Sequence, residues 1–307
     1  MIRKYGSAIL VCMLLVGVIL MTNPVGQAAT RKITIVHQHY SGHGAAWLEY
    51  IQQAAKEFME DNPNVEIKIL SGPDQETSPP SKLPVLIAAG TPPDVTELYP
   101  AVGAPFQAQK FFMDLRPLIA KDPEVRPEKY TPSSIQAFTW TDGSIWGLPG
   151  DIYPVVTFYN RDLIEAAGLL TPGKLGKDWT WNALVELGSK LTRDTNGDGQ
   201  IDQYGLDCAY NGLWYRGIPV LQAGGRLYDR YIDPTESRWN SSEVEKAFQF
   251  MADIYLKYRI TLPYWDSRTS QYYLWTGKSA INIIYGPGII GPYLSNVGFA
   301  HNPISPA

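Results

Sequence analysis

The strongest constraint on the fold of this chain is a repeated change of hydrophobic period between Ile33 and Leu98. Arg31-Lys32-Ile33-Thr34-Ile35-Val36 is a short β-rich run of the buried kind. Trp47, Tyr50, Ile51, Ala54, Ala55, Phe58 and Met59 then recur at three- and four-residue spacing, which predicts an amphipathic helix ending before Asn62-Pro63. Val65-Glu66-Ile67-Lys68-Ile69 alternates as a second strand. A Pro-rich loop from Pro73 to Pro80 leads into a helix carrying Leu83, Val85, Leu86 and Ala89, stopped by Gly90-Thr91-Pro92-Pro93. Asp94-Val95-Thr96-Glu97-Leu98 reads as a third strand. Strands alternating with helices, each step marked by turn residues, predict an α/β domain built on a parallel sheet.

A second unit is expected after the turn-rich Gly143–Pro149 stretch, opening with the strand Val155–Tyr159. Helices are predicted at Arg161–Ala167, Thr180–Thr192 and Ser242–Tyr258. The last has Ser241 or Ser242 as N-cap and a Glu three residues on. Ser279 to Tyr285 is a further apolar strand. With 307 residues the chain has room for two such lobes, 30–149 and 150–307. Ligand chemistry then belongs in the crevice where the strands end.

Residues 1–29 have the pattern of a signal peptide: Arg3 and Lys4, an apolar run, then Gly26-Gln27-Ala28-Ala29 with cleavage after Ala28 or Ala29. The unbroken apolar core, Ala8 to Met21, is 14 residues, short of the ~20 that span a bilayer. Cleavage removes Arg3 and Lys4 and takes the formal charge from −4 to −6, so no nucleic-acid partner is expected. It also removes Cys12, leaving Cys208 without an intramolecular disulfide partner. The mature chain should be exported, soluble, acidic and monomeric.

Several short stretches, taken in order, carry a resemblance. They are Leu86-Ile87-Ala88-Ala89-Gly90-Thr91-Pro92-Pro93-Asp94-Val95, Phe138 through Pro149, Phe158-Tyr159-Asn160-Arg161-Asp162-Leu163-Ile164, Trp179-Thr180-Trp181-Asn182-Ala183-Leu184, Leu221-Gln222-Ala223-Gly224-Gly225, Gly277–Ile281 and Gly286-Pro287. From Ile33 to Pro306 the chain resembles extracellular solute-binding proteins of the carbohydrate ABC-uptake type, the maltose-binding-protein-like family 1. The resemblance implies a two-lobed, type II periplasmic-binding-protein-like fold with parallel or mixed sheets flanked by helices, and a hinge near Gly150–Val155. It implies capture of an oligosaccharide by hinge closure and delivery to ABC transporter permease subunits, in the periplasm or outside the cell. It also implies a return segment to the first lobe, which this chain, stopping at Pro306-Ala307, is expected to lack.

A sugar site needs flat aromatic faces and polar groups that take hydroxyls, and the chain holds 19 Tyr, 9 Trp and 9 Phe. Trp214 and Tyr215, in Asn211-Gly212-Leu213-Trp214-Tyr215-Arg216, read as a loop that looks like the family's sugar-contacting segment. Glu97 and Tyr99 follow the third strand; Glu97 is expected to accept sugar hydroxyls and Tyr99 to stack. Asp94 reads as turn-forming. Asp151 and Tyr153 lie on the expected hinge. Tyr285 precedes Gly286-Pro287-Gly288, where the family pattern has an aromatic after Gly-Pro, and is expected to substitute for it in a differently shaped pocket.

His37, His39 and His43 are three of the four His. His39 with Tyr40 is read as contacting ligand; the metal alternative needs further ligands from later strands. An exported carbohydrate-active or metal-dependent hydrolase is the second reading. No phosphate loop, nucleophile elbow or Cys/His cluster supports an enzyme, and no cofactor is required. Asp194, Asn196, Asp198, Gln200 and Asp202 occupy ligand positions of a calcium loop, with Gly199 at the turn and Gly205 where the bidentate Glu belongs. Two readings stand side by side for this loop: an Asp/Gly turn, or a site for structural Ca2+.

Overall fold

The computed structural model describes residues 32–40, 43–71, 82–207, 213–262, 273–274, 276–283 and 296–305. The expected signal peptide, the Pro73–Pro80 loop, Tyr285 and the end of the last predicted strand lie outside these residues. The chain divides into two units between Ile152 and Tyr153. Among the described residues no helix is long and apolar enough to cross a membrane.

The first unit contains β1 (Ile33–Gln38), α1 (Ala45–Asp61), β2 (Val65–Leu70), α2 (Leu83–Ala88), β3 (Val95–Thr96), α3 (Pro100–Ala108), α4 (Arg116–Ile119) and α5 (Pro132–Gln136). Its sheet has the order β2-β1-β3 and is parallel throughout. Ile35, Val65 and Ile67 meet Ala55 and Phe58 of α1, so the two alternating strands and the helical stripe bury their apolar sides together. β3 is shorter than predicted, because only Val95 and Thr96 pair with His37 and Gln38. Ahead of it Asp94 clamps the strand: its carboxylate accepts from the Val36 N–H at 2.8 Å and its own N–H donates to Val36 O at 2.9 Å.

α3 was not predicted from the sequence; Pro100, Gly103 and Pro105 are residue types that disfavour a helix interior. Pro100 sits instead at the helix start, where no N–H is needed. Gly103 lies so close to the Trp146 indole that a Cβ would stand 2.6 Å from it.

α2 and α3 end alike. Gly90 has φ 71°, its N–H reaches Ile87 O, and Thr91 N–H reaches Leu86 O. This paired closure needs a left-handed residue. After α3, Lys110 N–H reaches Gln107 O and Phe111 N–H reaches Phe106 O, yet Lys110 carries φ 60° with a Cβ in place. Relief of roughly 1–2 kcal/mol of strain, less the added freedom of an unfolded glycine, sets the expectation for Lys110→Gly. It should stabilise the protein by about 0.5–1 kcal/mol, read as a raised denaturant midpoint at constant m; a lowered midpoint would contradict this account.

The second unit contains β4 (Thr157–Asn160), α6 (Arg161–Ala166), α7 (Pro172–Leu175), α8 (Trp181–Leu191), β5 (Tyr204–Asp207), α9 (Leu213–Gln222), α10 (Ser242–Leu256), β6 (Ser279–Asn282) and β7 (Val297–Ala300). The sheet order is β5-β6-β4-β7; β5 and β6 are parallel, and β4 is antiparallel to β6 and β7. β4 and β6 are buried along their whole length. The core joins Trp179, Leu184, Leu191, Leu206, Ile254 and Ile281, and the Trp181 ring stacks on Phe250 at 4.0 Å. The expected cap Ser241 accepts from Val244 N–H, and Thr180 and Asn160 likewise cap their helices, accepting from Ala183 N–H and Leu163 N–H.

Candidate functional site

β1 and β3 run parallel as neighbours, so their carboxyl ends lie at one edge of the first unit's sheet, where α/β proteins place ligand chemistry. His37 and His39, two residues apart, project to the same side of the strand end. Glu97 leaves β3 with its N–H on Gln38 O at 3.0 Å. The short turn after β1 brings back His43, and the first turn of α1 supplies Trp47.

These residues converge on the Glu97 carboxylate. Oε1 lies 2.8 Å from His37 Nε2. Oε2 accepts from the Tyr40 N–H at 3.1 Å and from Trp47 Nε1–H at 3.2 Å, and faces His39 Nδ1 at 3.1 Å and His43 Nδ1 at 3.2 Å. An ionised carboxylate only accepts hydrogen bonds. Each facing imidazole nitrogen therefore carries a hydrogen, and Glu97 dictates the tautomer of all three rings. Burial pushes the Glu97 carboxyl up, but the hydrogen bonds from His37, His43 and the Tyr40 amide outweigh it and hold the group well below the usual carboxylate range.

Aromatic rings cover the cluster. Tyr40 meets His43 and Tyr99 edge-on, each at 5.0 Å between centroids, and Trp47 lies 5.4 Å from His43 and 5.5 Å from Tyr50. The solvent side is formed by Tyr99, 44% exposed, and by Asp151, whose side chain is 54% exposed and whose Oδ2 stands 3.8 Å from His43 Nε2.

Five protein donors already meet the Glu97 oxygens, so Glu97 orders the residues around it, and His39 is buried with Nδ1 on Glu97. Tyr40 is nearly buried and supports Tyr99, so of the residues named here from sequence Tyr99 and Asp151 reach solvent. Among the described residues no group of three or more His, Cys, Asp or Glu is arranged to hold a metal ion. The nitrogens nearest Glu97 present N–H groups, not the lone pairs a metal would need. Trp47 was read only as part of the apolar stripe of its helix. Its place beside Gly44, directly after a His-bearing strand end, was the signal available.

In the second unit Tyr153, 45% exposed, is the first residue. Trp214 and Tyr215 lie on α9 and not in a loop. The segment turns helical because its apolar side packs on the core, Tyr215 being partly buried against it, while Gln222 accepts from Trp181 Nε1–H at 2.9 Å. At its end Gly224, with φ 80°, and Gly225 bond back to Leu221 O and Val220 O. The Leu221–Gly225 stretch is thus a helix stop.

The Asp194–Asp202 loop is closed by its own groups. Asp194 accepts from the N–H groups of Asn196, Gly197 and Gly199, Asp198 accepts from Gln200 N–H, and Asp202 from Thr195 N–H and Oγ1–H. Those bonds hold Asp194 and Asp202 below the usual carboxylate range.

A sequence model of the family described as bacterial extracellular solute-binding protein matches residues 42–306. Among curated proteins none matches the chain. Similar solved structures include an ABC substrate-binding protein from Listeria monocytogenes in complex with cycloalternan, at 23% identity and TM-score 0.68, covering 88% of this chain and 66% of that one. The GacH receptor of Streptomyces glaucescens, solved unliganded and with acarbose, gives 19% identity and TM-score 0.68 over 89% and 67% of the two chains. The maltose/maltodextrin-binding domain MalE from Bdellovibrio bacteriovorus, bound to maltotriose, gives 21% and 0.63 over 89% and 66%. The likeness is one of fold, and the chain spans about two thirds of the length of these proteins.

Proposed function

The chain belongs to the bacterial extracellular solute-binding protein family, and from that premise we propose that it captures an oligosaccharide by hinge closure and presents it to the permease of an ABC transporter. The observation that carries this reading is the solvent side of the Glu97 cluster: a half-exposed tyrosine face, Tyr99, next to an exposed carboxylate, Asp151, both resting on side chains that Glu97 fixes in place. A flat ring takes the C–H face of a sugar and a carboxylate takes its hydroxyls. On the second unit we propose Tyr153, Trp214 and Tyr215 as residues that contact the ligand. The sugars bound by structurally similar proteins, cycloalternan and maltotriose among them, support a carbohydrate as the cargo.

Capture is favoured over hydrolysis by the family match, whose description is that of a solute-binding protein. Residues 1–29 are proposed to direct export and to be removed, placing a monomer in the periplasm or outside the cell.

A thermal-shift screen against maltotriose, cycloalternan and acarbose, followed by analysis of the recovered sugar, tests the proposal. A raised melting temperature with intact sugar is expected. No shift, or hydrolysed sugar, would overturn it. Trp214→Ala should weaken binding of the sugar found by about tenfold, or ~1.4 kcal/mol, at an unchanged melting temperature. Full affinity with reduced stability would instead make Trp214 a packing residue.

A further inference from the structure

His43 alone of the three clustered imidazoles touches both the buried and the exposed carboxylate. Nδ1 faces Glu97 Oε2 at 3.2 Å and Nε2 faces Asp151 Oδ2 at 3.8 Å. Since Glu97 can only accept, Nδ1 carries the hydrogen, and in the neutral ring the bare lone pair sits on Nε2, toward Asp151. A lone pair opposite a carboxylate is unfavourable; an N–H opposite it is an ion pair. At 3.8 Å the contact is an ion-pair distance, longer than a hydrogen bond, so closing it requires Asp151 or the ring to move.

We propose that Glu97 is a positioning residue that presents Nε2 of His43 to Asp151, and that protonation of this nitrogen latches Asp151 and so withdraws its carboxylate from a bound sugar. The proposal rests on the capture reading only in its last clause. Among the described residues, the charged and titratable groups that face His43 are Glu97 after β3, Asp151 at the end of the first unit, the Tyr40 and Tyr99 phenols whose rings lie 5.0 and 6.2 Å away, and His37 and His39, which share Glu97. Imidazole is the side chain whose charge changes between about pH 5 and 8. Protonation of the ring therefore moves Asp151 from open carboxylate to ion-pair partner.

The chain has four His, so imidazole-selective 15N labelling gives four assignable rings in the intact protein. At pH 8 His43 should show Nδ1 protonated and Nε2 bare, and its titration midpoint should fall in Asp151→Asn while those of His37 and His39 move less. Glu97→Gln, which keeps an acceptor oxygen, should retain more of the Nδ1–H form than Glu97→Ala. Nε2–H at pH 8, or a midpoint unmoved in Asp151→Asn, would overturn the latch. With maltotriose as the probe, affinity should drop several-fold from pH 7.5 to 5.5 in the parent and stay level in His43→Gln. A pH-independent affinity would overturn the link to capture. Failure of every sugar in the screen, with the tautomer and midpoint results as expected, would remove the capture reading and leave the latch standing.

Discussion

Glu97→Ala is expected to destabilise the first unit by about 3–5 kcal/mol, the range for removing one partner from a buried charged network. The substitution takes away the acceptor for five donors at once. His37 and His39 are almost wholly buried, and His37 Nδ1 already lacks a partner. Without Glu97 they face their neighbours with N–H groups that no water replaces. The pH dependence has a definite sign. The folded carboxyl titrates below its unfolded counterpart, so its contribution is present in full above about pH 5. It is lost as pH falls through and below the usual carboxylate range. Urea midpoints of parent and variant should therefore differ widely at pH 7 and draw together toward pH 3. A gap below about 1 kcal/mol at pH 7, or one that widens in acid, would show that Glu97 is not the organiser of this edge.

The same residue shows where sequence reasoning stops. The alternation of period between Ile33 and Leu98 was legible because each element is announced by neighbours three, four or two positions away. β1, α1 and β2 accordingly lie within one or two residues of their predicted bounds. The meaning of the His triplet depends on a carboxylate 54 to 60 residues further on. From the triplet alone, a ligand-binding edge and a metal edge look alike. Only the parallel pairing that sets β3 beside β1 brings Glu97 within reach and turns three imidazoles into donors. Tyr99 and Asp151 remain candidates because they stand at the rim of that cluster, not inside it.

In the second unit the local signals were overridden by packing. Asn211, Gly212 and Arg216 argued for a loop around Trp214 and Tyr215. The helix forms nonetheless, with Pro219 inside it, because its apolar side faces α10 and its end is tied to Trp181. β5 and β7 were missed for the complementary reason. Each is four residues long and carries a glycine, Gly205 or Gly298, and so gives little propensity signal. Their pairing with β6 and β4 is what makes them strands.

Gly205→Ala is the substitution expected to harm the second unit most. A Cβ at this position would overlap the carbonyl oxygen and Cα of Gly188, backbone atoms of α8. Neither side can retreat. The strand is held by Gly205 N–H to Thr192 Oγ1 at 2.9 Å, Tyr204 N–H to Lys278 O at 2.8 Å and Leu206 N–H to Ile260 O at 2.9 Å. The helix is held by Leu184 and Leu191, both fully buried. The cost should reach or exceed the upper end of the roughly 1–3 kcal/mol typical of overpacking, seen as loss or a large downward shift of the second unit's unfolding transition. Gly188→Ala supplies the contrast, since its nearest neighbour is the Ile260 Cδ1 at 2.8 Å, a side-chain atom able to turn away. A smaller loss is expected there; equal losses would mean that the strand–helix approach is not the constraint. The same contact bears on the acidic loop before it, where a calcium loop would put its bidentate Glu at position 205. Gly205→Glu should unfold the second unit before it could complete a cation site, because this glycine is required by the approach of β5 to α8.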